Sequence, residues 1–125
     1  MRVLFVVKSK QIETLGCMYL AAVVKQCGHE AKIVDIGIES REFACKWKPD
    51  IIGYSIMTGD TAKFKELNDE LKSRIKFTAM VGGPDPTFFP EGYDWADTII
   101  SGEAEQVIAD LLQSGKKYPS IDSFP

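Results

Sequence analysis

The sequence predicts a three-layer α/β/α domain built around a parallel β-sheet. Apolar segments of strand length alternate along the chain with longer segments whose apolar residues recur at helical spacing. Residues 3–7 are apolar at every position, as expected of a parallel strand that helices cover on both faces. Because right-handed crossover helices join such strands, the carboxyl ends of all the strands meet at one edge of the sheet.

The elements follow one another in a regular order. Thr14 is predicted to cap a helix over residues 14–27, which Gly28 ends, and Asp60 is predicted to cap a later helix. Further strands are predicted at residues 31–36, 51–56, 77–81 and 98–101, and helices at 41–46 (where the pattern is weak), 61–75 and 103–113. For these five parallel strands we predict the Rossmann/flavodoxin-like order 2-1-3-4-5.

Size and composition indicate one globular domain. The chain has 125 residues, of which 45% are hydrophobic and 26% are charged. We assign residues 1–113 to the domain and residues 114–125, which show no periodicity, to a linker toward a further domain. A net charge of −3 without a basic cluster argues against nucleic acid as a partner. The apolar segment at residues 3–7 is too short for a signal peptide or a membrane span.

The cysteines indicate a reducing compartment. Cys17, Cys27 and Cys45 are odd in number and widely spaced, so neither a disulfide framework nor a metal-binding pair is predicted. We therefore expect a cytoplasmic protein without a metal site built from its own side chains.

Gly82 and Gly83 directly follow the predicted strand at residues 77–81. Without a Cβ, these residues leave the backbone open to the close approach of a ligand, and open α/β sheets bind ligands at this carboxyl edge. Three other strand-to-loop junctions are polar or contain glycine, at residues 8–16, 55–60 and 101–105. Together the four loops predict a binding site.

The loop after the first strand argues against the usual nucleotide sites. Residues 8–16 contain neither the P-loop pattern nor the GxGxxG fingerprint of dinucleotide-binding domains. Val6, Val7 and Lys8 occupy the place where a phospho-acceptor pocket would carry acidic residues. Nucleotide binding and phosphorylation are therefore disfavoured.

Four segments carry a resemblance to a known family. Residues 15–30, 49–59, 81–90 and 101–105 resemble, in order and spacing, the cobalamin-binding domain at the N-terminus of B12-dependent radical SAM enzymes. Residues 121–125 resemble the stretch that leads into the radical SAM barrel of such enzymes. The resemblance implies cobalamin as the cofactor and a radical SAM domain, in cis or in trans, as the partner.

The resemblance also implies a division of labour. The domain has no catalytic residue of its own and presents cobalamin to the barrel for methyl transfer or related radical chemistry. The Cys-x3-Cys-x2-Cys pattern of a 4Fe-4S cluster is absent from these residues, so the cluster and SAM belong to the partner domain. Two other functions remain open at this point: a flavodoxin-like binding or signalling domain without B12, and an interaction domain with an empty pocket.

The resemblance implies that cobalamin lies across the carboxyl edge and that its nucleotide tail enters beside the third and fourth strands. Ser55 offers a hydroxyl to the tail, and Gly82 and Gly83 leave room for it; alternatively, Ser55 satisfies a turn and the glycines form one. The implied cofactor-binding residues are Gln11, Glu13, Thr14, Leu15, Gly16, Ser55, Ile56, Met57, Thr58, Gly82, Gly83, Pro84, Gly102 and Glu103.

One departure concerns the cobalt ligand. B12 proteins of the methionine synthase and mutase type carry Asp-x-His-x-x-Gly after the first strand, and the His binds cobalt. With Gly16 as the glycine, Gln11 replaces the Asp and Glu13 replaces the His. His29, the single histidine of the chain, follows a predicted turn at the other end of the helix. The cofactor is therefore expected base-off, without histidine ligation.

Two further groups of side chains have more than one interpretation. Phe88, Phe89, Tyr93 and Trp95 either cover the corrin ring, contact a partner domain or pack in the core. Glu103 stands at a predicted helix N-terminus, where a carboxylate also stabilises the helix dipole.

Overall fold

The structure, a computed structural model, describes residues 1–8, 14–56, 60–82 and 90–100. Its strands are β1 (Arg2–Val7), β2 (Glu30–Asp35), β3 (Ile51–Ser55), β4 (Thr78–Gly82) and β5 (Thr98–Ile100). Its helices are α1 (Thr14–Gln26), α2 (Ile38–Trp47) and α3 (Thr61–Lys72), with a short 3₁₀ helix at Pro90–Tyr93. Within these described residues, the five strands form one parallel sheet in the order β2-β1-β3-β4-β5, which confirms the predicted fold.

Helices pack on both faces of the sheet. Along β1, Val3 and Phe5 pack with residues of α1, whereas Leu4 and Val6 pack with residues of α2 and α3. All four side chains are buried, which explains why this strand is apolar at every position.

The core on the α2 and α3 face contains one buried polar pair. The Tyr54 hydroxyl donates a hydrogen bond to Oδ1 of Asn68 over 3.0 Å, and the Tyr54 ring packs against Phe64 and Trp95. Burial raises the pKa of the Tyr54 phenol, and the nearby Asp69 carboxylate raises it further. The phenol therefore stays neutral and keeps its hydrogen bond to Asn68.

α2 is longer than the predicted helix at residues 41–46. Two reciprocal hydrogen bonds set the start of α2. The Gly37 N–H donates to Ser40 Oγ over 2.9 Å, and Ser40 Oγ donates to the Gly37 carbonyl over 2.6 Å. Its end is set by Lys48, whose φ is 52° and whose N–H donates to the Ala44 carbonyl. Local hydrogen bonds at the ends therefore compensate for the weak apolar pattern between them.

The other helix ends agree with the predictions to different degrees. Gly28 has a φ of 87°, so it takes the left-handed conformation that was predicted for it. α1 begins at Thr14 itself. α3 ends at Lys72 rather than at residue 75, and directly after this end the Ser73 hydroxyl donates to the Glu70 carbonyl. Asp60 directly precedes α3, but the prediction that its side chain caps the helix is wrong.

Gly53, in the middle of β3, gives the ring of Phe5 room between the sheet and α1. A Cβ built on Gly53 would lie 3.2 and 3.3 Å from two ring carbons of Phe5, closer than ordinary van der Waals contact. Because the two residues are partners in the β1–β3 register, a larger residue at this position would displace the ring.

Side chains fasten the amino edge of the sheet at two places. In the first, which we call the Arg2 network, the Arg2 N–H donates to Asp50 Oδ2 over 2.9 Å. The Arg2 guanidinium donates to Glu30 over 2.9 Å and to the Trp47 carbonyl over 2.7 Å, and it lies over the Trp47 ring. This network joins β1 to β2, to the end of α2 and to the start of β3.

The second place is the Lys72–Asp97 pair. Lys72 Nζ donates to the Phe77 carbonyl over 2.6 Å and to Asp97 Oδ2 over 2.8 Å. Asp97 Oδ2 also accepts the Ala79 N–H over 2.8 Å. The pair therefore joins the end of α3 to the starts of β4 and β5.

Several predictions lie outside the described residues, namely the helix at residues 103–113, the linker at 114–125 and the last residue of the fifth strand. Among the helices that are described, none has both the length and the apolar character needed to cross a membrane.

Candidate binding site at the carboxyl edge of the sheet

The ends of β3 and β4 place two of the predicted site residues side by side. Ser55 and Gly82 are partners in the parallel register, and the Ile56 N–H donates to the Gly82 carbonyl over 2.9 Å. Ser55 and Gly82 are half-buried, whereas the Ile56 side chain is fully buried in the core on the α2 and α3 face. A hydroxyl and a backbone without a Cβ are thus neighbours at the carboxyl edge.

β1 ends at the same edge, followed by Lys8. α1 begins further along this connection, and Thr14, Leu15 and Gly16 form part of its first turn. Because the sheet is parallel, the N-terminus of α1 lies at the edge where Ser55 and Gly82 lie. These described members of the predicted site therefore share one edge.

Asp60, the last residue of the polar junction at residues 55–60 and the predicted cap of α3, adds a carboxylate to this edge. Its side chain is 9% exposed, and Oδ1 lies 3.5 Å from Nζ of Lys8, which is 52% exposed. Asp60 Oδ2 has no hydrogen-bond partner among the described residues. Its position between β3 and α3 was the signal that could have marked it as a site residue.

The start of α3 is linked to the aromatic side of the core. The hydroxyl oxygens of Thr61 and Tyr93 lie 2.8 Å apart, and Tyr93 is 1% exposed. Trp95 is half-buried, packs against Tyr93 and donates from its indole to the Gly92 carbonyl. Core packing is therefore the role of Tyr93 and Trp95, among the alternatives that the sequence left open.

His29 lies at the amino edge, before the start of β2. Its Nδ1 is 2.6 Å from the amino group of Met1, and the next residue, Glu30, donates its N–H to the Met1 carbonyl. The length of a six-residue strand, roughly 17 Å, separates this edge from the carboxyl edge.

The remaining predicted site residues lie outside the part of the chain that the structure describes. They are Gln11, Glu13, Met57, Thr58, Gly83, Pro84, Gly102 and Glu103, and the same holds for Phe88 and Phe89. In the described ranges, no group of three or more His, Cys, Asp or Glu side chains is arranged to hold a metal ion. The polar groups that the described residues place at the carboxyl edge include the Ser55 hydroxyl, the Lys8 ammonium, the Asp60 carboxylate and main-chain groups.

The strand order defines a flavodoxin-like domain. Open α/β sheets of this kind bind ligands at the carboxyl ends of their strands. A family model described as the B12 binding domain matches residues 1–112, so the chain belongs to that family and cobalamin is its cofactor. This finding favours the cobalamin interpretation over the alternatives without B12.

One sequence relative and one solved structure are similar to the chain. It is 26% identical over 127 aligned positions to a protein of Methylococcus capsulatus named hopanoid C-3 methylase. The match covers 92% of this chain and 24% of that protein, so the chain spans about a quarter of its relative's length. The response regulator domain of CheB from Thermotoga maritima has a similar structure, with a TM-score of 0.58, 19% identity and 92% coverage of both chains. The latter likeness concerns the fold alone.

The residues at the carboxyl edge fit cobalamin. The cofactor combines a flat ring bearing neutral amide groups with a long nucleotide tail, which needs narrow backbone and hydrogen-bond partners more than it needs charge. Gly82 supplies the narrow backbone, Ser55 a hydroxyl, and Asp60 a buried carboxylate oxygen that has no partner in the described structure.

Proposed function

We propose that this domain binds cobalamin across its carboxyl edge, with the nucleotide tail between the ends of β3 and β4. The observation that carries the proposal is the pairing of Ser55 with Gly82 at adjacent strand ends. A polar tail that leaves water needs compensating hydrogen bonds, and the Ser55 hydroxyl can supply one. The glycine beside it leaves the backbone open to close approach.

The rest of the proposed site is the set of residues that the family resemblance implies. In it, Thr14, Leu15 and Gly16 contact the cofactor from the start of α1. The loop residues complete the contacts; they are Gln11, Glu13, Met57, Thr58, Gly83, Pro84, Gly102 and Glu103. Ile56 takes part only through its main chain, because its side chain is buried in the core.

Cobalamin is held base-off and without a histidine ligand from this chain. Glu13 stands where related B12 proteins carry the ligating His, and Gln11 stands where they carry its orienting Asp. His29 supports this part of the proposal because it lies at the amino edge, hydrogen-bonded to the Met1 amine.

In the complete protein, the domain presents its cofactor to a radical SAM domain. Support comes from the family resemblance of the sequence and from the methylase relative, of which the chain matches 24%. When bound, cobalamin supplies a cobalt centre for methyl transfer or related radical chemistry. The residues of this chain bind the cofactor and orient it, and the 4Fe-4S cluster and SAM belong to the partner.

A binding measurement tests the proposal. The chain is incubated with hydroxocobalamin and desalted, and its visible spectrum is recorded. We expect cobalamin to remain with the protein and to show a base-off spectrum. Loss of all colour on desalting, together with no saturable change in a titration, would overturn the proposal.

A further inference from the structure

Asp60 is a buried carboxylate at the carboxyl edge, and one of its oxygens has no hydrogen-bond partner among the described residues. Asp60 directly precedes α3, but its side chain makes no capping hydrogen bond to the helix. It is 9% exposed, its Oδ1 lies 3.5 Å from Lys8 Nζ, and its Oδ2 has no hydrogen-bond partner within the described ranges. Asp60 thus stands at the N-cap position of α3, but its side-chain oxygens do not cap the helix.

The energetics of burial make this arrangement costly. An ionised carboxylate accepts several hydrogen bonds in water, and a buried one is stable only when charges and donors replace them. Among the described residues, the cation in contact is Lys8, which is 52% exposed and stands at the long end of ion-pair distance. Elsewhere in the described structure, the buried atoms Arg41 Nε and Glu70 Oε2 also lack a hydrogen bond, but those two side chains form an ion pair with each other.

The location of Asp60 shows from which side a partner would come. Lys8 follows β1 and Asp60 lies between β3 and α3, and β1 and β3 are neighbours in the sheet. The contact between Lys8 and Asp60 therefore lies at the carboxyl edge, where Ser55 ends β3. A ligand bound across this edge would meet Asp60 beside the strand ends.

Charge selects the part of the ligand that suits Asp60. The phosphate of the nucleotide tail is an anion, which a buried carboxylate repels. The periphery of the corrin ring carries primary carboxamides, whose N–H groups are neutral donors, and a hydrogen bond from such a donor to an ionised acceptor is among the stronger ones. The ring carboxamides therefore suit Asp60 and the phosphate of the tail does not.

We propose that Asp60 binds the corrin ring by accepting a hydrogen bond from one of its peripheral carboxamides. The inference rests on the proposed function, since it places cobalamin at the same edge, and it adds a contact to the ring that is independent of the tail. In the absence of cofactor, Asp60 keeps only the long ion pair with Lys8 among the described residues, and its burial therefore lowers the stability of the chain.

Two corrinoids separate the contact to the ring from the contact to the tail. Cobinamide has the corrin ring and its carboxamides but lacks the nucleotide tail. Affinities of the 125-residue chain for hydroxocobalamin and for aquocobinamide are measured by spectrophotometric titration. Thermal unfolding of the cofactor-free protein is measured alongside.

Asp60→Asn keeps the shape of the side chain and removes its charge. We expect it to weaken binding of both corrinoids by the same factor, about tenfold, and Asp60→Ala by up to about 100-fold. The cofactor-free Asp60→Asn protein should unfold at the same temperature as the parent or higher. Asp69→Asn is the matched control because Asp69 lies on α3, the helix that Asp60 precedes, and pairs with Lys65 at the surface. This substitution should leave both affinities unchanged.

The outcomes are distinct. If Asp60→Asn and Asp60→Ala bind both corrinoids as the parent does and unfold at a lower temperature, Asp60 only stabilises the fold and the inference is wrong. If the loss is confined to cobalamin, Asp60 contacts the tail and the inference is likewise wrong. If the parent chain binds neither corrinoid, the proposed function fails, and this inference with it.

Discussion

The two edges of the sheet differ in how completely their polar side chains are paired. At the amino edge, the Arg2 network and the Lys72–Asp97 pair join strand starts to helix ends through hydrogen bonds of 2.6 to 2.9 Å. At the carboxyl edge, Asp60 is buried with one long ion pair among the described residues, and Gly82, which has no Cβ, is the register partner of Ser55.

This difference indicates a division between stability and binding. Paired side chains at the amino edge hold the strands in register whether or not a ligand is present. In the described part of the carboxyl edge, one oxygen of the buried Asp60 has no hydrogen-bond partner, which costs stability in the cofactor-free protein and, on our proposal, favours the bound state. Substitutions at one edge should therefore change unfolding, and substitutions at the other should change affinity for cobalamin.

The largest expected effect is that of Ser55→Leu. The larger side chain fills the space beside Gly82 that we assign to the nucleotide tail, so affinity for cobalamin should fall by about 100-fold. Affinity for cobinamide, which lacks the tail, should stay within about twofold of that of the parent. Spectrophotometric titration measures both affinities, and circular dichroism checks that the fold is retained. Equal affinity for cobalamin in the parent and in the variant would contradict the placement of the tail.

The second expected effect lies at the amino edge. Asp97→Ala leaves Lys72 Nζ and the Ala79 N–H without this acceptor, so the free energy of unfolding should fall by about 2 kcal/mol. Urea unfolding measures the loss, and cobalamin affinity, extrapolated to full folding, should not change. A large loss of affinity in folded protein would show that the two edges are not separate in function.

A smaller effect at the same edge is expected for Arg2→Ala. The ion pair with Glu30 is exposed, so it contributes little, and the bond to the Trp47 carbonyl and the contact with its ring add more. Together these give an expected loss of about 1 kcal/mol in urea unfolding. A loss in the free energy of unfolding as large as that of Asp97→Ala would show that the Arg2 network stabilises the fold more than its exposed contacts suggest.

The smallest expected effect is that of His29→Ala. Because His29 lies at the amino edge, the visible spectrum of bound cobalamin and its affinity should both equal those of the parent. A change in the cobalt spectrum of this variant would place the imidazole near the metal and contradict the described position of His29.

Much of the fold could be predicted because periodicity reports burial. β1 is apolar throughout and is buried on both faces, and Gly28 ends α1 with the positive φ that its residue type suggests. α2 was predicted too short because the Gly37–Ser40 hydrogen bonds that start it leave no trace in apolar spacing. Short-range side-chain bonds are local chemistry, which a hydrophobic pattern does not record.

The candidate site was predictable in its position but not in all of its members. Ser55 and Gly82 follow from the rule that strand ends share an edge, and the register pairs them. Asp60 was misinterpreted because an Asp before a helix is usually its cap, and its burial and its distance to Lys8 depend on tertiary structure. The role of Gly53 could not be predicted because it depends on the ring of Phe5, which lies on another strand.

The most direct test of the central claim is the EPR spectrum of the chain loaded with cobalamin and reduced to the Co(II) form. If the tail enters the sheet beside Ser55 and Gly82, benzimidazole is removed from the metal, and His29 at the amino edge does not replace it. We predict a base-off Co(II) spectrum without superhyperfine splitting from an axial nitrogen. A three-line nitrogen splitting would show that benzimidazole or an imidazole binds cobalt, and it would contradict this account.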